Sequence, residues 1–299
     1  MPLFLLYKDD RIDLCLEKGI RLNMKVQELL NVGIEKLKKQ KIEEPILKSR
    51  ILLAHILKIP KETLILQYEN TVSKMQETLY LQKVQELANN KPLQYITNKQ
   101  EFMKLIFYVD ENVLIPRADT EILVEEVIKN SKDSMEILDL CTGSGAIAVS
   151  LAKYTKSTIY ASDISRKALE IATRNANDNK VFVHFILSDM FENIINKKFD
   201  IIVSNPPYIE TETILHLDKV VQKEPRIALD GGNDGLKFYK IIAHQAKKYL
   251  KPNGMLYLEI GYNQKQAVIE ILQKENYKDI YCQKDLNNKD RVIVAKKGE

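Results

Sequence analysis

The sequence predicts an α/β protein: a parallel, doubly wound sheet with helices on both faces, preceded by a smaller helical bundle and a β-hairpin linker. Three observations carry this. From about residue 116 onward, short apolar runs of strand length alternate with amphipathic helical stretches, the pattern of repeated strand–helix–strand units. Before residue 93, apolar residues recur at three- and four-residue spacing, which is helical periodicity. Between these regions lie β-rich segments separated by polar residues, the mark of a hairpin.

The elements follow in order. Residues 1–23 fit the bundle poorly, and Met24 has the look of a natural start, so the leading segment reads as an extension. From Met24, Val26, Leu29, Leu30, Ile34 and Leu37 form one face of a helix, with Glu28, Lys36 and Lys39 on the other. A second helix over 46–59 turns Leu47, Ile51, Leu52, Ala54 and Leu57 inward, between Pro45 and Pro60. Shorter helical stretches at 62–68 and 73–87 complete a bundle domain over 24–92. The linker, 93–115, pairs a strand at 94–96 with one at 105–109, and residues 110–112 turn the chain. The α/β domain, 116–299, opens with Asp119 as the cap of a helix carrying Ile122, Leu123, Val124 and Val127. Strands are expected at 137–140, 158–162, 181–187, 200–204 and 255–260, with a terminal pair near 279–282 and 291–295. Helices are expected from Ala146 and over 165–177, 235–250 and 264–274.

Composition excludes several classes. At 299 residues and 45% hydrophobic, the chain can bury its cores without disulfides or metals. The formal charge of +4 is the small difference between 45 basic and 41 acidic residues, not the footprint of a dedicated nucleic-acid binder. Cys15, Cys141 and Cys282 are odd in number and lack metal-ligand or redox spacing; free thiols fit a reducing cytosol. The apolar start reaches Asp9 and Asp10 too soon for a signal peptide, and no apolar run approaches a membrane span. The expectation is a soluble, cytoplasmic monomer with no membrane partner and no bound metal.

Two segments carry chemistry. In the first, a strand ending at Leu140 runs through Cys141, Thr142, Gly143, Ser144 and Gly145 into a helix. The glycines permit unusual backbone angles and close ligand approach, and the helix start supplies unpaired N–H donors. Asp163, about 20 residues on at the end of the next strand, can grip ribose hydroxyls. The loop also satisfies the dinucleotide pattern, so a nicotinamide dehydrogenase competes with other nucleoside-cofactor enzymes here. Cys141 reads as a small loop residue, not a nucleophile.

The second segment, Asn205-Pro206-Pro207-Tyr208, follows a buried strand and falls at the carboxyl end of the sheet, where ligands bind in open α/β folds. Two prolines lock the backbone and hold the Pro206 carbonyl beside the Asn205 side-chain carbonyl. Two fixed acceptors suit an –NH2 group with two donors, and Tyr208 offers a flat face to a planar group. An amide or aromatic amine delocalises its lone pair, so acceptors that favour positive charge on nitrogen stabilise its attack on an activated carbon. That need points to methyl transfer from S-adenosyl-L-methionine. A plain Pro-Pro turn closing the strand is the competing reading.

The sequence resembles the HemK-type release-factor glutamine methyltransferases. The likeness runs from about Met24 onward. It rests on 49–55, 92–96, 101–103, Ile115-Pro116-Arg117-Ala118-Asp119-Thr120-Glu121, the glycine loop, 188–191, 205–208 and the Glu224 to Gly235 segment. The resemblance implies a seven-stranded Rossmann-like S-adenosylmethionine methyltransferase domain behind a helical substrate-docking domain. It implies N5-methylation of the glutamine in the Gly-Gly-Gln loop of class I peptide chain release factors. The cofactor would be held by Cys141 to Gly145, Asp163, Met190 beside the adenine, Asn205, and Phe102 lining the same pocket. Asn205, Pro206, Pro207 and Tyr208 would hold the glutamine amide. Three positions depart from the family pattern: Cys141 stands where Gly is common, Met190 where an aromatic is frequent, and Ala118 where Pro is usual.

Other functions stay in view. An adenine-N6 DNA methyltransferase faces the same –NH2 problem but must flip its base; no target-recognition region or basic stripe is evident, so no nucleic-acid substrate is expected. A glutamine methyltransferase acting on a ribosomal protein would use the same four residues. A non-catalytic cofactor-binding module would have no use for an amide clamp. Arg117 reads either as a substrate contact or as a domain-junction residue, and Asp189 as a cofactor contact or a helix cap. The lysines at 36, 38, 39 and 41 are a solvated face or a partner surface.

Overall fold

The computed structural model describes residues 24–298. The expected extension over 1–23, with Cys15, lies outside them. The chain divides into two compact units, one ending at Thr97 and the other spanning Asn98–Glu299.

The first unit is helical: α1 (Val26–Lys39), α2 (Pro45–Leu57), α3 (Lys74–Ala88) and α4 (Leu93–Thr97), with a 3-10 turn at Lys61–Gln67 between α2 and α3. Local signals set the helix starts. The Lys25 N–H donates to Glu28 Oε2 (3.0 Å) at α1, and Ser73 exchanges bonds with Gln76 at α3. Pro45 opens α2 at a position where its missing N–H costs nothing. Leu29, Leu37, Leu52, Leu53, Tyr80 and Val84 form the core, all fully buried. Two expectations fail here. Leu47 is 44% exposed, and Leu53 and Ile56 take the buried face of α2 instead. Residues 94–96 are helical in α4, not a strand. The Pro92 carbonyl accepts from the Tyr95 and Ile96 N–H groups, and the Thr97 hydroxyl donates to the Leu93 carbonyl. The hairpin lies farther along, with β1 (Gln100–Phe102) antiparallel to β2 (Leu105–Phe107).

The second unit carries a seven-stranded sheet. Its strands are β3 (Glu136–Leu140), β4 (Thr158–Asp163), β5 (His184–Leu187), β6 (Phe199–Ser204), β7 (Leu250–Glu259), β8 (Lys278–Lys284) and β9 (Asp290–Lys296). Their order is β5-β4-β3-β6-β7-β9-β8. The first five are parallel, whereas β9 runs antiparallel to both β7 and β8, so the sheet is mixed at one edge. The helices are α5 (Glu121–Asn130), α6 (Ala146–Tyr154), α7 (Arg166–Asp178), α8 (Lys237–Tyr249) and α9 (Lys265–Lys274).

Alternation along the strands divides the core between the two faces. Ile137, Ile159, Ile201 and Val203 pack with α5 and α6 residues such as Val124 and Ile147. Leu138, Leu140, Ile202 and Leu256 pack with α8 and α9 residues such as Ile242 and Leu272. Asp119 does not cap α5. It lies in a 3-10 turn at Ala118–Thr120 and pairs with Arg291 (3.0 Å). No described helix is long and apolar enough to cross a membrane.

Candidate active site

Strand order reverses direction between β3 and β6. Leu140 and Ser204 are register partners there, and Ser204 Oγ donates to the Leu140 carbonyl (2.8 Å). Cys141 and Asn205, the next residues, therefore leave the sheet side by side at the topological switch point. A cavity of about 240 Å³ opens over these strand ends, lined among others by Cys141, Gly143, Asp163, Met190, Asn205 and Pro207.

The glycine loop is shaped by left-handed backbone at Cys141 (φ 60°), Gly143 (φ 54°) and Gly145 (φ 80°). A Cβ added at Gly143 would meet nothing within 4 Å, so this position faces open space, whereas one at Gly145 would press on Ala172 Cβ at 2.9 Å. Cys141 adopts a conformation that costs an ordinary residue about 1 kcal/mol. Burial, helped by the nearby Asp163, pushes its thiol pKa up, so the thiol stays protonated at neutral pH. Its Sγ touches Met190 Sδ at 4.0 Å, so two of the three departures from the family pattern are in contact.

Thr142 Oγ1 donates to Asp139 Oδ2 (2.6 Å). Burial drives the Asp139 carboxyl up to about 7, against that bond. Asp163 accepts the Gly143 N–H on one oxygen (2.8 Å) and the Ser165 N–H on the other (2.9 Å). Each oxygen keeps a lone pair for a further donor, and burial raises the carboxyl's pKa. Asn175, fully buried on α7, donates to the carbonyls of Ser144 (2.9 Å) and Tyr108 (3.0 Å) and accepts the Tyr108 N–H (2.7 Å). It ties the glycine loop to the segment after the hairpin, whose Asn112, Val113 and Leu114 also line the cavity.

On the other side, Asn205 Nδ2 donates to Thr120 Oγ1 (3.2 Å), which turns Oδ1 the opposite way. Pro206 and Pro207 are buried. Tyr208 is held from behind: its hydroxyl reaches Glu259 Oε1 (3.4 Å) and its carbonyl accepts from Gln264 Nε2 (2.9 Å). Two glycines let the chain pass. A Cβ on Gly231 would lie 2.7 Å from Tyr208 Cα, and one on Gly235 2.5 Å from the Tyr208 carbonyl oxygen. Glu224, buried, accepts the Ile115 N–H (3.0 Å) and pairs with Arg117, so the 115–121 segment is clamped to the loop that backs Tyr208.

The donor set fits a nucleoside cofactor. A carboxylate with spare acceptor capacity suits a ribose diol, a side-chain-free Gly143 allows close approach, and Met190 with the nearby Phe238 gives an apolar wall for a purine. Among the described residues no cluster could hold a metal ion.

Comparison with known proteins decides the family. Residues 28–97 match the PrmC N-terminal domain, and residues 117–233 the methyltransferase small domain. A release factor glutamine methyltransferase of Fusobacterium nucleatum is 41% identical over 296 residues, covering 94% of this chain and 82% of that one. The chain belongs to the release factor glutamine methyltransferase family. A second member, from Clostridium acetobutylicum, is 39% identical and covers 92% of this chain and 99% of its own. The crystal structure of a methyltransferase from Pyrococcus furiosus shares the fold at 18% identity and a TM-score of 0.53, covering 73% of this chain and 99% of that one.

Within this methyltransferase fold, the residues expected from sequence distribute unevenly. Cys141, Gly143, Asp163, Met190, Asn205 and Pro207 reach the cavity. Thr142, Ser144, Gly145, Pro206 and Tyr208 are not among its lining residues. Phe102 is a correction. It is fully buried in the core, edge-on to Phe107 with ring centroids 6.0 Å apart, because the hairpin folds its apolar face inward, so it does not line the pocket. Thr120, Asn175 and Glu259 were not singled out by pattern. Their role depends on partners 51 to 85 residues away in sequence, and no local motif reports that.

Proposed function

We propose that this protein transfers a methyl group from S-adenosyl-L-methionine to the side-chain nitrogen of the glutamine in the Gly-Gly-Gln loop of class I peptide chain release factors. The observation that carries the reading is the orientation of Asn205. Its N–H is taken by Thr120, so its carbonyl is the group presented beside the rigid Pro206–Pro207 turn.

Asn205 Oδ1 and the Pro206 carbonyl accept the two N–H bonds of the glutamine amide, and Tyr208 and Pro207 bound its flat faces. Asp163 takes the ribose hydroxyls, while Cys141, Gly143 and Met190 line the nucleoside pocket. When bound, S-adenosyl-L-methionine would supply an electrophilic methyl on sulfur, which would leave with the bonding pair as the glutamine nitrogen takes the methyl and gives up one proton to water. The chain's part is alignment of nitrogen, methyl and sulfur, an effect that reaches about 7–11 kcal/mol in ideal cases. The helical unit is assigned to docking the release factor.

The test offers labelled S-adenosyl-L-methionine with a class I release factor, ribosomal proteins and DNA in parallel. Label is expected on the release factor alone, lost when its loop glutamine is changed to alanine. Label on DNA or a ribosomal protein instead would overturn the assignment.

A further inference from the structure

An asparagine amide is nearly symmetric in shape: a half-turn about its last bond exchanges a carbonyl oxygen for an –NH2. Turned the wrong way, Asn205 would face a glutamine –NH2 with donors of its own, and the clamp would repel what it must hold. Some group has to tell the two orientations apart. Thr120, 4% exposed, is in contact with Asn205 Nδ2, but a hydroxyl alone cannot decide, because it donates as readily as it accepts. It becomes a dedicated acceptor only when its own proton has a better destination.

That destination is present. Glu259, at the end of β7 and 1% exposed, lies beside Thr120, whose hydroxyl favours the ionised carboxylate. Glu259 Oε1 takes the Tyr208 hydroxyl (3.4 Å), and the buried Oε2 has no hydrogen-bond partner, so it is the acceptor left for the Thr120 hydroxyl. We infer that Thr120 and Glu259 form a positioning pair: the Thr120 hydroxyl donates its hydrogen bond to Glu259, Thr120 Oγ1 thereby accepts from Asn205, and Asn205 Oδ1 is fixed toward the acceptor nitrogen. The inference rests on the proposed role of Asn205 and deepens it. Neither residue touches substrate; they act through Asn205. The same carboxylate holds the Tyr208 hydroxyl, so one buried group orients both ends of the tetrad.

The test uses the full chain carrying Thr120→Val, which keeps shape and removes the hydroxyl, and Thr120→Ser, which restores it. With a release factor as substrate, Thr120→Val is expected to lower kcat about tenfold to hundredfold with cofactor affinity by calorimetry within about twofold, and Thr120→Ser to recover most of the rate. A second readout needs no turnover. The Asn205 side-chain amide, assigned by nuclear magnetic resonance through Asn205→Asp, should exchange slowly with solvent in the wild type and in Thr120→Ser. In Thr120→Val and in Glu259→Leu it should shift and exchange fast. An unchanged Asn205 amide in both variants, or Thr120→Val turnover within about twofold of wild type, would overturn the pair. If the wild type leaves the release factor unlabelled, the functional reading falls instead, and the amide measurement still judges the pair.

Discussion

Two buried carboxyls sit close to the chemistry without reaching the cavity. Burial drives both Glu259 and Asp139 up to about 7, the first opposed by Thr120 and Arg291 and the second by Thr142. Because folding raises these pKa values, the stability tied to the protonated forms is fully present below the unfolded-chain values. It is lost as pH rises through about 7. Wild-type protein should therefore melt at lower temperature at pH 8.5 than at pH 5.5. Glu259→Gln keeps a neutral group of the same shape, so its melting temperature should fall less over that interval, by roughly 3–6 °C. Equal falls in thermal melts of the two proteins would show that Glu259 does not titrate in the fold. Asp163 rises in the same direction, which is why some pH dependence should survive in the variant.

Among the elements, the loop joining β6 to α8 does more than connect. It returns under the tetrad, where the Gly231 N–H donates to the Ile209 carbonyl (2.8 Å) and the Ile209 N–H to the Leu229 carbonyl (3.0 Å). Gly231 is tight against the Tyr208 backbone, so Gly231→Ala must displace the turn that carries Asn205 and the prolines. Methyl transfer should drop about hundredfold, while calorimetry should find cofactor affinity little changed, since the glycine loop and Asp163 are elsewhere. Near-normal turnover would mean that the turn tolerates the shift and is not rigidly set. Pattern reading found the parallel strands and their helices, because Ile137 to Leu140 and Ile201 to Ser204 are buried runs bounded by turn residues. It misplaced the segment at 94–96, whose apolar Tyr95 and Ile96 fit a strand or one turn of buried helix equally well; Pro92, two residues before Gln94, tips the balance toward helix. The antiparallel β9 was not foreseen, since a buried strand such as Val292–Val294 reads alike in either direction.

For the molecule as a whole, the site is a property of the sheet. One register pair, Leu140 with Ser204, brings the glycine loop and the Asn205–Tyr208 turn together from opposite sides of the strand reversal. Both motifs were visible as local sequence. The supporting contacts were not: Thr120 and Glu224 stand in segments that carry the resemblance, but Thr120, Asn175, Glu224 and Glu259 are polar residues 0–5% exposed, and only the fold shows which motif each one holds. The central claim is that two fixed carbonyl oxygens grip a planar –NH2 and aim its nitrogen at an activated methyl carbon. A crystal structure of the protein with S-adenosylhomocysteine and a peptide bearing the release-factor glutamine tests it most directly. Asn205 Oδ1 and the Pro206 carbonyl oxygen should each lie about 2.9 Å from the glutamine nitrogen, with the cofactor sulfur on the far side of the transfer line. Finding those oxygens turned away from the amide, or the glutamine bound elsewhere, would contradict the account.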